Sequence, residues 1–321
     1  MHLCSVELLI YIQLFKENNV EKLLKSTTAY KIFSADRLSG RLSHAYMLHF
    51  ADQRNLRAAL KVFATEFFAA SGALASRIDG ESFTDLVIYP AEGKKISVDG
   101  ISEIIEDSAL RPVEGDKKLY IITGFDGASA LVQNKLLKTL EEPLPGVYFL
   151  LGVTTLAPVL DTVVSRVKML EIPPFTVNEI YAALERQGKN PENSAAAKSC
   201  NGILGAAQNM VSGGWFKEVR EAAWDVCSVN KLSQVADVVK KYGETKYRTE
   251  LLSEMQNIYF SALTEGGKLN TYLQKHTIIY ALEELSKANA DLKFNAFFQG
   301  LLHDFLLKVV KENDKWLKLQ E

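Results

Sequence analysis

The side chains of this sequence that could do chemistry are mainly cationic and sit in three short segments. Ser165 and Arg166 follow a helical pattern at Val159–Val164 and precede the apolar run Lys168–Ile172, so the Arg166 guanidinium is expected at a domain edge. From such an edge a guanidinium can stabilise charge on a phosphoryl group in transfer, an effect of roughly 10³–10⁵ in rate for arginine fingers. A local acid such as Asp161 or Glu171 could instead hold it as a structural ion pair. Arg54 and Arg57 stand in the segment His49-Phe50-Ala51-Asp52-Gln53-Arg54-Asn55-Leu56-Arg57, beside Asp52, an acid that repels anions. Asn134, Lys138 and Glu141 recur at i, i+4 and i+7 and share one helix face. Spacing alone makes them a solvated polar face.

Other chemistries find little support. No serine–histidine–aspartate set or histidine–glutamate cluster stands out. The five histidines, His2, His44, His49, His276 and His303, lack ligand spacing. Cys4, Cys200 and Cys227 lie far apart, which fits small buried hydrophobes in a reducing compartment better than a disulfide framework. No metal and no cofactor is expected. A net charge of −2 and a pI near 6.3 lack the basic excess of a phosphate-gripping protein, so nucleic acid is not the obvious direct ligand. Leu8–Phe15 is mostly apolar, but Glu7 precedes it and neither a basic n-region nor a small-residue cleavage site frames it. No stretch reaches the ~18 apolar residues of a bilayer span. A cytoplasmic address without membrane attachment is expected.

The elements that must position these side chains follow from pattern. At 321 residues, 47% hydrophobic and 24% charged, the chain can build two or three cores. Short runs rich in β-branched and aromatic residues occur at Ala45–Phe50, Leu86–Tyr89, Leu119–Thr123, Val147–Val153 and Lys168–Ile172. Helical patterns at Gln53–Ala70, Val98–Ser108, Ser129–Glu142 and Val159–Val164 separate them. Strand–helix alternation predicts a parallel sheet covered on both faces. Ser71–Ser82 is expected to be the longest loop of this region, and Pro173-Pro174 to end it. Thr176, with Glu179 three residues on, predicts a capped helix opening a small helical segment to about Met210.

All eight prolines fall between Pro90 and Pro191, so the later tract is free to form long helices. Val235, Val238 and Val239 recur at helical spacing, as do Leu251, Leu252, Met255, Ile258 and Tyr259. Phe294, Phe297, Phe298, Leu301, Leu302 and Phe305 do so later. Gly213-Gly214 is a candidate hinge. The expected domains are 1–173, 174–213 and 214–321.

The order of motifs is more specific than any one of them. A buried-strand pattern at Leu119–Thr123 is followed by the helix Asn134-Lys-Leu-Leu-Lys-Thr-Leu-Glu-Glu-Pro143, then the strand Val147–Val153, Thr154-Thr155, and Val164-Ser165-Arg166. This order resembles the AAA+ clamp-loader ATPase family from about Leu38 to Phe175. The Arg-Leu-Ser-His-Ala-Tyr lead-in at 41–46 adds to it, as, more weakly, do Ala288–Asp291 and Leu301-Leu302, which look like the final helices of the family's delta-prime subunits. The resemblance implies an α/β architecture: a RecA-like AAA+ parallel-sheet domain, a small helical lid and an all-helical collar.

The departures from the family pattern carry the functional expectation. Where an active member has a glycine-rich phosphate loop ending in Gly-Lys, this chain has no glycine from His49 to Arg57, and Leu56 stands at the lysine's place. The magnesium-binding acid and its partner fall on Thr123 and Gly124, and Asp126 is a poor substitute. Thr154, at the sensor position, has nothing to sense and should cap a strand end. Ala206 stands where a sensor arginine belongs, and Ser71–Phe83 lacks the four-cysteine zinc module of many relatives.

Arg166 survives, with Ser165, although Val167 replaces the usual cysteine. The resemblance therefore implies a subunit without its own ATPase activity that offers Arg166 in trans to a gamma- or tau-like ATPase neighbour. Delta-like subunits would be further partners, the sliding clamp would be met indirectly, and DNA only within the assembly. Lys135 and Lys138 could approach DNA phosphates there, although a solvated helix face explains them better. A divergent AAA+ ATPase with an unorthodox loop, or a scaffold outside replication, is the alternative.

Overall fold

The computed structural model describes residues 19–264, 266–294 and 296–318, so the readings of Leu8–Phe15, His2 and Cys4 lie outside the described residues. The chain forms two compact units, Met1–Asn209 and Met210–Glu321. In the first unit the elements run α1 (Asn19–Ser26), α2 (Thr28–Leu38), β1 (Ala45–Phe50), α3 (Leu56–Phe67), α4 (Gly72–Asp79), β2 (Leu86–Tyr89), α5 (Val98–Asp107), β3 (Lys118–Thr123), α6 (Ala130–Glu141), β4 (Val147–Val153), α7 (Asp161–Val164) and β5 (Lys168–Ile172). Then follow α8 (Val177–Gln187), α9 (Asn193–Ser199) and α10 (Leu204–Ser212). The five strands pair in parallel in the order β2-β3-β4-β1-β5. This is the parallel sheet that the strand–helix alternation predicts, with crossover helices forced to its faces.

Alternation along each strand divides the core. Met47, Tyr120, Ile122, Phe149 and Leu151 turn one way and join Ile101 and Ile104 of α5 with Val132, Leu136 and Leu140 of α6. On the other face Phe33 of α2 meets Tyr46 with ring centroids 4.9 Å apart, and Phe67 of α3 meets Tyr148 at 5.0 Å. Each large side chain so buried is worth about 1.5–3 kcal/mol, which outweighs the β-preference of residues such as Val62 and Phe63 in α3. Gly152 in β4 permits this approach, since a Cβ there would lie 2.6 Å from Leu60 Cδ1.

Local signals fix the ends. Ser129 accepts the Val132 amide at the start of α6, and the helix stops before Pro143. The Thr176–Glu179 capping box opens α8, with both reciprocal bonds formed. Buried Asp85 accepts the amides of Val113, Glu114 and Gly115 at 2.7–2.9 Å and so anchors the loop that delivers β3. The expected loop Ser71–Ser82 instead contains α4. Its alanines favour helix and Ile78 supplies a fully buried anchor, which the flanking glycines conceal in the sequence.

The second unit is all-helical: α11 (Phe216–Cys227), α12 (Leu232–Tyr242), α13 (Arg248–Thr264), α14 (Lys275–Lys293) and α15 (Phe298–Lys318). Val235 and Val239, Leu251, Leu252, Met255 and Tyr259, and Leu302, Phe305 and Leu306 meet in one core with Cys227. The aromatic stripe read from Phe294 onward enters that core only at Phe298. Phe294 and Phe297 precede α15 and are 86% and 73% exposed, because helical spacing continues across residues that are not helical. Among the described residues no helix is long and apolar enough to cross a membrane.

Candidate functional site

The segment after β1 is closed by its own side chains. Leu56, at the lysine's place, is buried at the start of α3 and packs towards β4 beside Gly152. Asp52 is buried as well. Its Oδ1 accepts the Asn55 amide at 3.1 Å, and its Oδ2 accepts Asn55 Nδ2 at 2.7 Å and the Gly205 amide at 2.7 Å. Gly205 lies in the first turn of α10, where unpaired amides attract an anion. The carboxylate of Asp52 therefore does for α10 what a bound phosphate does for a helix N-terminus elsewhere. There is no room to spare, because a Cβ on Gly205 would stand 2.2 Å from Asp52 Oδ1.

Both arginines of this segment are engaged. Arg54 donates to Asn209 Oδ1, and Asn55 Nδ2 also reaches Gln208 Oε1 at 3.1 Å. Arg57 donates through Nε to Glu81 Oε1 at 2.8 Å and through Nη1 to the Pro90 carbonyl at 2.8 Å. Hydrogen bonds from Arg57, with Lys61 beside it, hold the Glu81 carboxyl down to about 2. Positive charge that the sequence offered to a phosphate is spent inside the protein.

The segment after β3 is closed in another way. Gly124, at the place of the second acid, has φ +67°, a left-handed conformation that would strain a glutamate. Asp126 takes the Thr154 hydroxyl at 2.6 Å and the amides of Thr154 and Thr155 at 3.1 and 3.2 Å. It thus ties the end of β3 to the end of β4. Ala206, at the sensor arginine's place, is half-buried in α10 beside the docked Gly205.

Arg166 is positioned by two elements. α7 brings it off the end of β4, with Val163 buried in the same core as Leu136 and Leu140 of α6. Buried Gln133 of α6 braces the approach: its Nε2 donates to the carbonyls of Ala128 and Pro158 at 3.0 Å, and its Oε1 accepts the Leu160 amide at 2.8 Å. The guanidinium is 32% exposed. Its partner is neither Asp161 nor Glu171 but Glu141, at the end of α6, which accepts from Nε at 2.6 Å and from Nη2 on the same oxygen. Nη1 donates to the Thr162 carbonyl at 2.8 Å and Ser165 Oγ at 3.2 Å. Asn134, Lys135 and Lys138 lie exposed on α6, and Lys135 donates to Ser102. Gln133 and Gly205 were missed in the sequence, and Glu141 was read there only as part of a solvated helix face, not as the partner of Arg166. Gln133 alone had a signal there, as a polar residue next to Val132 in a stripe that continues with Leu136 and Leu140.

Comparison with known proteins bears on residues 25–176, which match the family model described as "DNA polymerase III, delta subunit". The chain is 28% identical over 188 residues to the DNA polymerase III subunit delta' of Bacillus subtilis, covering 56% of this chain and 57% of that protein. It is 37% identical over 88 residues to the delta' subunit of Haemophilus influenzae, covering 27% of each. It is also 30% identical over 107 residues to the gamma subunit of Buchnera aphidicola, covering 33% of this chain and 29% of that one. The match therefore spans little more than half the length of the first relative and under a third of the others. Among solved structures, a gamma-subunit-related protein of Thermotoga maritima aligns with TM-score 0.47 and 14% identity, covering 89% of this chain and 99% of that one. The clamp loader delta protein of Bacillus subtilis aligns with TM-score 0.37 and 11% identity, covering 88% and 100%.

Proposed function

We propose, from the similarity of residues 25–176 to DNA polymerase III delta and delta' subunits, that this chain is a clamp-loader subunit that hydrolyses no ATP itself. In this reading Arg166, with Ser165, acts in trans on the nucleotide of a gamma- or tau-like neighbour, and the assembly loads the sliding clamp onto primed DNA. Delta-like subunits are further partners, 174–213 is the lid, 214–321 the collar, and the cytoplasm the place of work. The observation that supports it most is the Asp52 carboxylate, buried and bonded to the Gly205 amide where a nucleotide's phosphates would need to lie. Phosphoryl transfer rests on positioning and charge stabilisation; this chain keeps the second in exportable form and lacks the first.

Reconstitution tests the partner assignment. Mixed with gamma-like and delta-like subunits from the same cell, the chain is expected to elute in one stoichiometric complex on size exclusion. Separate elution of all three at micromolar concentration would contradict the proposal.

A further inference from the structure

From the pairing of α6 with the arginine segment, and resting on the trans-arginine reading above, we infer that Glu141 is a positioning residue for Arg166, aiming its guanidinium at the neighbour's nucleotide. A free arginine side chain samples many rotamers, and an effect that depends on reaching one point in space is lost when it does. Helix α6 removes that freedom at two places. Gln133 fixes the carbonyl of Pro158 and the amide of Leu160, from which α7 departs. One helix end later, Glu141 receives the guanidinium through Nε and Nη2 on Oε1.

The geometry favours aiming over blocking. A guanidinium carries five N–H groups. Two go to Glu141, and the two of Nη1 go to the Thr162 carbonyl and Ser165 Oγ. That leaves one N–H of Nη2 without a partner among the described residues, available to a phosphoryl oxygen without breaking the mount. The pair is also open to water, with side chains 32% and 46% exposed. Exposed ion pairs hold weakly, so this one can orient the arginine without competing against a triphosphate for it.

The test uses the assembled complex and compares Glu141→Ala, Glu141→Gln, Arg166→Ala and the double variant Arg166→Ala with Glu141→Ala. Glu141→Ala is expected to lower kcat for DNA-stimulated ATP hydrolysis roughly 3- to 10-fold with KM for ATP unchanged. Glu141→Gln, which keeps an acceptor oxygen, should stay close to wild type. In the Arg166→Ala background the loss of Glu141 should add nothing. A rise in kcat with Glu141→Ala would make the pair a brake and overturn the inference. An equal loss with and without Arg166 would overturn it too, since Glu141 would then act alone. If Arg166→Ala is itself silent, the trans-arginine reading fails first, and the outcome is distinguishable from either of these.

Discussion

Replacing Arg166 with alanine is expected, on the proposed trans role, to slow ATP hydrolysis at the neighbour's nucleotide site by on the order of 10³-fold, while the complex stays assembled. The reason is electrostatic. Charge spreads over the phosphoryl oxygens in the transition state, and a guanidinium delivered from outside meets it there, whereas the ground state gains less. Arg166 lies at the end of a short helix whose apolar side is anchored by Val163. Removing its head therefore leaves the core untouched and costs only exposed bonds, to Glu141, Thr162 and Ser165. Arg166→Lys should rescue little, because a lysine is a point charge that cannot reproduce the fork of bonds to Glu141, Thr162 and Ser165. The measurement is single-turnover hydrolysis in the assembled complex with primed DNA and clamp present. Unchanged turnover in an intact complex would count against the trans role.

Asp52→Ala is expected to lower the stability of the first unit by about 1–3 kcal/mol, the cost of leaving buried donors unpaired. For a unit of this size that is a fall in Tm of roughly 2–12 °C. The Gly205 amide and Asn55 Nδ2 would lose the acceptor they reach at 2.7 Å. Amide exchange at Gly205 should rise with it, since α10 loses the bond that seats its first turn. Gly205→Ala should act through the same contact from the other side, because its Cβ would fall 2.2 Å from Asp52 Oδ1 and 2.8 Å from Arg54 Cβ. Stability and exchange identical to wild type in both variants would mean that the carboxylate is not what closes this site.

Particular residues show what the sequence discloses and what it withholds. Strands such as Val147–Val153 and Lys168–Ile172 are legible because a β-branched, apolar run between turn residues has few other uses. The same local logic gives the capping box of α8. It misreads Phe294 and Phe297, whose spacing is helical although the helix starts at Phe298. Local spacing also cannot name a tertiary partner. Asp52 reads as an acid where phosphates should lie, but its acceptor role towards Gly205 spans 153 residues. Arg166 reads as a free or locally paired cation, while its acid is Glu141, 25 residues back on a different element. The candidate site was thus visible as a set of residue types, and its closure only once α10 and α6 were in position.

The first unit is expected to hold no nucleotide of its own. Equilibrium binding of labelled magnesium–ATP to the isolated chain tests it most directly. The structure predicts no saturable binding in the micromolar range, with Asp52 and Leu56 filling the space and Arg54 and Arg57 already bonded. Tight, magnesium-dependent, one-to-one binding that is abolished by changing Arg54 would contradict it.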